Sequence, residues 1–419
     1  MADSNTSESN QMQHETNSVQ NETPISFMEF PEFVLSSGKK LKNVVVAYQT
    51  HGTLNDAKDN AVLVFHALSG SAHIAGFNKT YNSENKFWTE DCHRGWWDDY
   101  VGKGKVIDTK KNFVICQNIL GGCYGTTGPS SINPDTNKQY GSEFPDVEIE
   151  DIVRLQKAVL EKLGITKLKC VIGSSMGGYA ALEYLLLFGN GVDKAIIVGS
   201  AARTSSLNKM FGFEQVIAIE NDPLFSGGDY YEKEAPDKGL MLARMIAGKT
   251  YVDIGTVALR AKEEVMLPDD YFYNYRLKHN IESYMFHQVQ KFVKRFDANT
   301  YLKIVKAIQN FDLARKYGNG VLSNAFSLLR GNQTRCLVVT IDSDICYYPE
   351  EQAELVSALR WNALPCSHVI VNSKKGHDSF LIEPEKYGFI KEFLDEELVE
   401  SGKALEYAIK YVKSGYTRV

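Results

Sequence analysis

No stretch of this 419-residue chain holds the ~18–20 consecutive apolar residues that a membrane-spanning helix requires. The first 25 residues, Met1 to Ile25, contain no lysine, no arginine and no apolar block. Neither a secretory signal nor an arginine-rich transit peptide is therefore expected. Their Asn, Ser, Glu and Gln content reads as a disordered N-terminal tail, 1–25. Seven cysteines (92, 116, 123, 170, 336, 346 and 366) form no C-x-x-C pair, which leaves a zinc site or a dithiol motif with little support. Cys170, Cys336 and Cys346 lie in or beside apolar runs and read as reduced core thiols. Net positive charge is also lacking. The 46 Lys and Arg against 52 Asp and Glu leave −6, which argues against a general nucleic-acid binder, though not against a local basic pocket for a phosphorylated ligand. A soluble, cytoplasmic protein is expected, with 43% hydrophobic residues and length enough for a large core.

Seven short Val/Ile-rich runs read as buried strands: "KNVVVAYQT" from Lys42, "NAVLVFHAL" from Asn60, "NFVICQNIL" from Asn112, "LKCVIGS" from Leu168, "KAIIVGSA" from Lys194, "CLVVTIDSD" from Cys336 and "HVIVN" from His368. They lack strict alternation, as strands covered on both faces of a parallel sheet do. Helical patterns lie between them. In "VEIEDIVRLQKAVLEKLG", apolar residues recur near 3.6-residue spacing and Gly164 reads as the stop. Strand and helix in alternation give an α/β sheet. From about Leu207 to Arg330 the rhythm changes to helices alone, including "LMLARMIAG", "ESYMFHQVQKFVKRF" and "TYLKIVKAIQNFDLARK". The expected division is a core over 26–206 and 331–400, a helical lid over 207–330, and a C-terminal helical extension over 401–419. Met285, Val289, Phe292 and Phe296 form an apolar stripe in the lid, packing on the core or another helix.

The segment "VIGSSMGGYA" fits G-x-S-x-G in one register only, with Ser175 at its centre between Gly173 and Gly177. A strand precedes it and a helix follows, the setting of a nucleophile elbow, whose strained turn lifts a serine above the sheet. The partners should then follow in the order acid, then histidine. Asp344, with Asp342 as competitor, comes after "CLVVTI", and His377 lies in the loop after "HVIVN". Carboxyl ends of strands are where an open α/β sheet places its site. A serine hydroxyl attacks only when an imidazole takes its proton and a carboxylate orients that ring. Two backbone N–H donors are needed for the oxyanion. Met176 supplies one, and the loop after "VLVFHAL" supplies the other, taken as Leu68.

At this point the chain resembles the homoserine O-acetyltransferase family of α/β-hydrolase-fold enzymes, from about Ser26 to Leu394. The shared motifs include "FHALSGSAH", "ICQNILGGCYGTTGPSS", "YGSEFPDVEIEDIV", "GSSMGGYAALE", "GLMLARMIAG", "KFVKRFDANTYL", "DSDICYYPEE" and "GHDSFL". The resemblance implies an α/β-hydrolase fold and a triad of Ser175, Asp344 and His377, with Asp344 preferred to Asp342. It puts the family's ligand positions on Arg244, Tyr251 and Asp378. The implied reaction moves an acetyl group from acetyl-CoA to L-homoserine in methionine biosynthesis, through an acyl-serine, with no metal or other cofactor. Succinyl-CoA as donor, serine as acceptor, a plain esterase or thioesterase, and a silent binding protein are the alternatives. The resemblance also suggests a homodimer through the lid helices, and an apolar stripe too broad for one chain's core would agree with it. Two positions depart from the family: Phe213 and Val216 stand where related enzymes usually carry Glu and Arg, which puts the donor, the acceptor or the lid packing in question.

Overall fold

A computed structural model describes residues 23–81, 85–261 and 275–396. All seven apolar runs are strands, and an eighth precedes them. β1 (Ser26–Val34), β2 (Lys40–His51), β3 (Ala61–Phe65), β4 (Phe113–Gln117), β5 (Leu168–Ser174), β6 (Val192–Val198), β7 (Arg335–Ile341) and β8 (Cys366–Val371) form one sheet. Their order is β1-β2-β4-β3-β5-β6-β7-β8. Every pairing from β4 to β8 is parallel, whereas β2 runs antiparallel to both β1 and β4. β1 escapes sequence reading because it is an edge strand, mostly exposed, with Pro31 in its middle. Phe30 pairs with Val44 and Glu32 with Lys42 on either side of that proline, whose missing N–H an edge tolerates.

The helices α1 (Ile149–Lys162) and α2 (Met176–Phe188) pack on one face of the sheet. α2 is buried on nearly every side, which explains its almost unbroken apolar sequence. Between β6 and β7, every regular element among the described residues is helical: α3 (Ser206–Glu220), α4 (Asp237–Gly248), α5 (Ile254–Arg260), α6 (Asn280–Lys294), α7 (Ala298–Asn310), α8 (Leu313–Tyr317) and α9 (Leu322–Ala325). α10 (Pro349–Trp361) joins α1 and α2 on their face. After the four-residue α11 (Ser379–Ile382), α12 (Gly388–Leu394) covers the opposite face together with Trp97 and Tyr100. Residues 1–22 of the expected tail and all of the expected 401–419 extension lie outside the described residues.

The lid stripe packs on other helices, one of the two expectations for it. Val289, Phe292 and Phe296 are buried within this one chain, and only Met285 is substantially exposed. Met241 of α4 packs on Val289, and Tyr301 of α7 sits edge-on to Phe292 and Phe296. The stripe is therefore not too broad for a single core. Apolar side chains are left uncovered on α3 instead, where Met210, Phe213 and Ile217 recur along one face.

Candidate active site

Local sequence explains the turn after β5. Ser175 has φ 56° and ψ −128°, a conformation that costs a non-glycine residue on the order of 1–3 kcal/mol. The two flanking glycines make it possible. A Cβ at Gly173 would lie 1.9 Å from the Gly177 carbonyl oxygen, and one at Gly177 would lie 2.2 Å from that of Phe65. The Ser175 N–H donates to the Val198 carbonyl of β6 at 3.0 Å, pinning the turn to the neighbouring strand. Met176 opens α2, so its N–H has no carbonyl one turn back and is free to act on a ligand.

The structure brings Asp344 and His377 together and separates the two candidate acids. His377 Nδ1 lies 2.7 Å from Asp344 Oδ2, with both side chains almost wholly buried. The other carboxylate oxygen accepts from the N–H groups of Cys346 at 2.8 Å and Tyr347 at 2.9 Å. Asp342 instead accepts from Asn372 Nδ2 at 2.8 Å and from the Ser373 N–H at 2.9 Å, which ties down the loop after β8. Burial alone would pull the His377 pKa down. The Asp344 charge and hydrogen bond, with Asp378 adding to them, outweigh it and hold the imidazolium above its ordinary range. His377 Nε2 is buried and makes no hydrogen bond to a described residue, Ser175 included. Such contacts often close only in the substrate complex.

Two cavities meet here. One, of about 70 Å³, is lined by Ser175, Met176 and Leu68 together with Gln215 and Tyr347, and none of its walls carries a charge. The second, of about 580 Å³, contains Arg244 of α4 and Asp378, with Lys249, Arg260, Lys291 and Arg295 also in its wall. Tyr251 lines both. The Arg244 guanidinium sits over the Tyr251 ring at 4.8 Å and over Phe292 at 4.5 Å. Burial raises the Asp378 pKa, an effect that His377, Arg244 and Arg260 reduce but do not cancel. The lid is stitched to the histidine loop: the Asp378 N–H donates to the Tyr251 carbonyl at 2.9 Å. Gly376, at φ 65°, leaves room for this approach, since a Cβ there would lie 2.8 Å from the Asp253 nitrogen.

Residues 60–384 match the family model for the alpha/beta hydrolase fold. The homoserine O-acetyltransferase of Methanococcus vannielii is 45% identical over 373 residues, covering 88% of this chain and 72% of that protein. The chain belongs to the homoserine O-acetyltransferase family. The enzyme of that name from Carboxydothermus hydrogenoformans is 41% identical, with coverage of 85% and 91%. Among solved structures, the Bacillus anthracis homoserine O-acetyltransferase superposes with a TM-score of 0.78 at 26% identity, covering 89% of this chain and 98% of that one. Esterase E22 superposes with a TM-score of 0.77 at 30% identity, covering 89% and 100%.

The departures from the family pattern fall away from the serine. Phe213 is 62% exposed, and Val216 lines a surface hollow with Lys303 and Lys306. Their neighbours Gly212 and Gln215, with Asn208 and Phe211, are the α3 residues that reach the Ser175 cavity. Sequence reading missed Phe292, which backs Arg244, and the Cys346 and Tyr347 amides that hold Asp344. Only the aromatic spacing of α6 hinted at the first, and backbone donors leave no trace in side-chain identity.

Proposed function

We propose that this chain transfers an acetyl group from acetyl-CoA to the hydroxyl of L-homoserine, a step in methionine biosynthesis. Ser175 Oγ attacks the thioester carbonyl while His377 Nε2 takes its proton, and the N–H groups of Met176 and Leu68 receive the oxyanion. The C–S bond breaks, and the CoA thiolate takes that proton as it leaves. His377, neutral again, removes the homoserine hydroxyl proton, and the oxygen attacks the acetyl-Ser175 carbonyl. The proton then returns to Ser175 Oγ. No metal enters any step.

The observation that carries this reading is the meeting of two unlike cavities at Tyr251. An uncharged cavity beside Ser175 suits an acetyl group and offers no cation to a succinyl carboxylate. In the adjoining one, Arg244 can fork onto the acceptor carboxylate and Asp378 can accept from its ammonium, and Tyr251 lines the same cavity. The surplus of cations there suits the phosphates of the donor.

A second reading, hydrolysis, draws support from the likeness to esterase E22. Incubation with acetyl-, propionyl- and succinyl-CoA, with and without homoserine or serine, separates them. The transferase reading requires ping-pong kinetics, preference for acetyl-CoA, and thiol release that depends on homoserine. Thioester cleavage at an equal rate without an amino acid would make it a hydrolase. Seven free cysteines accord with the cytoplasm as the place of reaction, and no helix among the described residues is long and apolar enough to cross a membrane. A homodimer through the lid is part of this proposal, with the exposed face of α3 as its contact.

A further inference from the structure

His66 is 1% exposed, and its imidazole is committed at both nitrogens. Nδ1 lies 2.7 Å from the Ala67 carbonyl oxygen, and Nε2 accepts from the Ile119 N–H at 3.3 Å. A carbonyl only accepts and an amide N–H only donates, so the ring carries its proton on Nδ1 and is neutral. Burial drives its pKa down to about 4, which keeps it neutral at physiological pH. The Ala67 carbonyl takes a second hydrogen bond from the Gly70 N–H at 3.0 Å, closing a turn through Leu68 and Ser69. Gly70 leaves space for the ring, since a Cβ there would lie 2.8 Å from His66 Cβ and 3.0 Å from Nδ1.

In a planar trans peptide the C=O and N–H point in opposite directions. Two donors holding the Ala67 oxygen on one side therefore turn the Leu68 N–H to the other, and Leu68 lines the cavity with Ser175 and Met176. We propose that His66 is a positioning residue, which aims the Leu68 N–H at the oxyanion by holding the carbonyl of the same peptide. This rests on the reading of Leu68 as an oxyanion donor.

Two variants split the imidazole's roles. In His66→Asn the amide nitrogen replaces Nδ1, so the bond to Ala67 survives while Ile119 loses its acceptor. In His66→Gln the side-chain oxygen can reach Ile119, and Ala67 loses its donor. Single-turnover acetylation of Ser175 by acetyl-CoA should fall about 10²-fold in His66→Gln at unchanged KM, with His66→Asn recovering most of the rate. The carbonyl stretch of the acetyl-enzyme should move to higher frequency in the Gln variant only. Acylation by His66→Gln at the wild-type rate would overturn the proposal. So would losses in both variants that merely track their melting temperatures. Leu68→Pro deletes the N–H at a turn position that accepts proline. If it acylates normally, the Leu68 reading itself fails; if it is slow while His66→Gln is not, only the role of His66 fails. Should the His66 variants not fold, ¹⁵N resonances of the wild-type imidazole decide: the Nδ1–H tautomer supports the proposal and Nε2–H overturns it.

Discussion

Ser175 keeps its strained backbone only while Gly173 and Gly177 stay bare. Gly173→Ala would place a methyl 1.9 Å from the Gly177 oxygen, so the elbow must open. We expect a loss of roughly 3 kcal/mol or more in thermal unfolding and acylation too slow to measure. The charge pair beside it sets a pH dependence. His377 must be neutral to take a proton, and Asp344 favours its charged form. The acid limb of kcat/KM should therefore lie above the ordinary imidazole value of about 6.5, with activity rising as pH increases through it. In Asp344→Asn the main opposing charge is gone and burial faces only the lesser pull of Asp378, so the limb should drop while kcat falls by about 10⁴-fold through loss of tautomer control. A limb that stays in place would mean that another group titrates. For the acceptor, Arg244→Ala should cost about 2–4 kcal/mol in transfer to homoserine while Ser175 is still acetylated by acetyl-CoA. Equal loss of both half-reactions would assign Arg244 to the fold or the donor.

At the scale of elements, we propose that the helices between β6 and β7 position the acceptor as well as cover the site. α4 carries Arg244 and α6 carries Phe292, and these helices pack against each other, so the guanidinium is held between two rings. The turn after α4 is bonded to the histidine loop through Tyr251 and Asp378. Arg244, Tyr251 and Asp378 are thus tied to one another through α4 and the turn after it. Phe292→Leu keeps most of the apolar burial and removes the ring face, a contact worth about 0.5–2 kcal/mol. We expect a KM for homoserine raised several-fold, with single-turnover acetylation of Ser175 unchanged. Slower acylation in this variant would show that α6 shapes the serine cavity instead.

For the whole molecule, the exposed face of α3 is the proposed contact between two copies. Met210 and Phe213 are each more than half exposed on one face, beside the lid's own core. A second copy would bury them, and sedimentation at micromolar concentration should show a dimer. Phe213→Glu should shift it toward monomer while leaving acetylation of Ser175 within about twofold, because Phe213 lines neither cavity. A wild-type monomer would end the proposal. Among the described residues no cluster of His, Cys, Asp and Glu is suited to a metal ion. Because the proposed steps fall to Ser175, Asp344, His377 and backbone amides, transfer should survive exhaustive chelation.

The sequence by itself determined the parts of this protein that are local. Apolar runs long enough for one buried strand named β2 to β8, and a glycine on each side of Ser175 announced a turn that only such residues permit. Chain order then placed Asp344 and His377 at the ends of later strands. What is local ends there. β1 hid because an edge strand buries little, and the α6 stripe could be read as packing on the core or another helix but not on which one, because its partners, Met241 and Tyr301, come from other helices. Asp342 and Asp344 are two residues apart and of one residue type; the Ser373 amide that takes the first and the His377 imidazole that takes the second arrive only when β7 and β8 lie side by side. Arg244 lies 134 residues before Asp378 in the chain. Periodicity describes one element's face, whereas a site is made where the faces of several elements meet, so only the tertiary structure could bring that pair to one cavity.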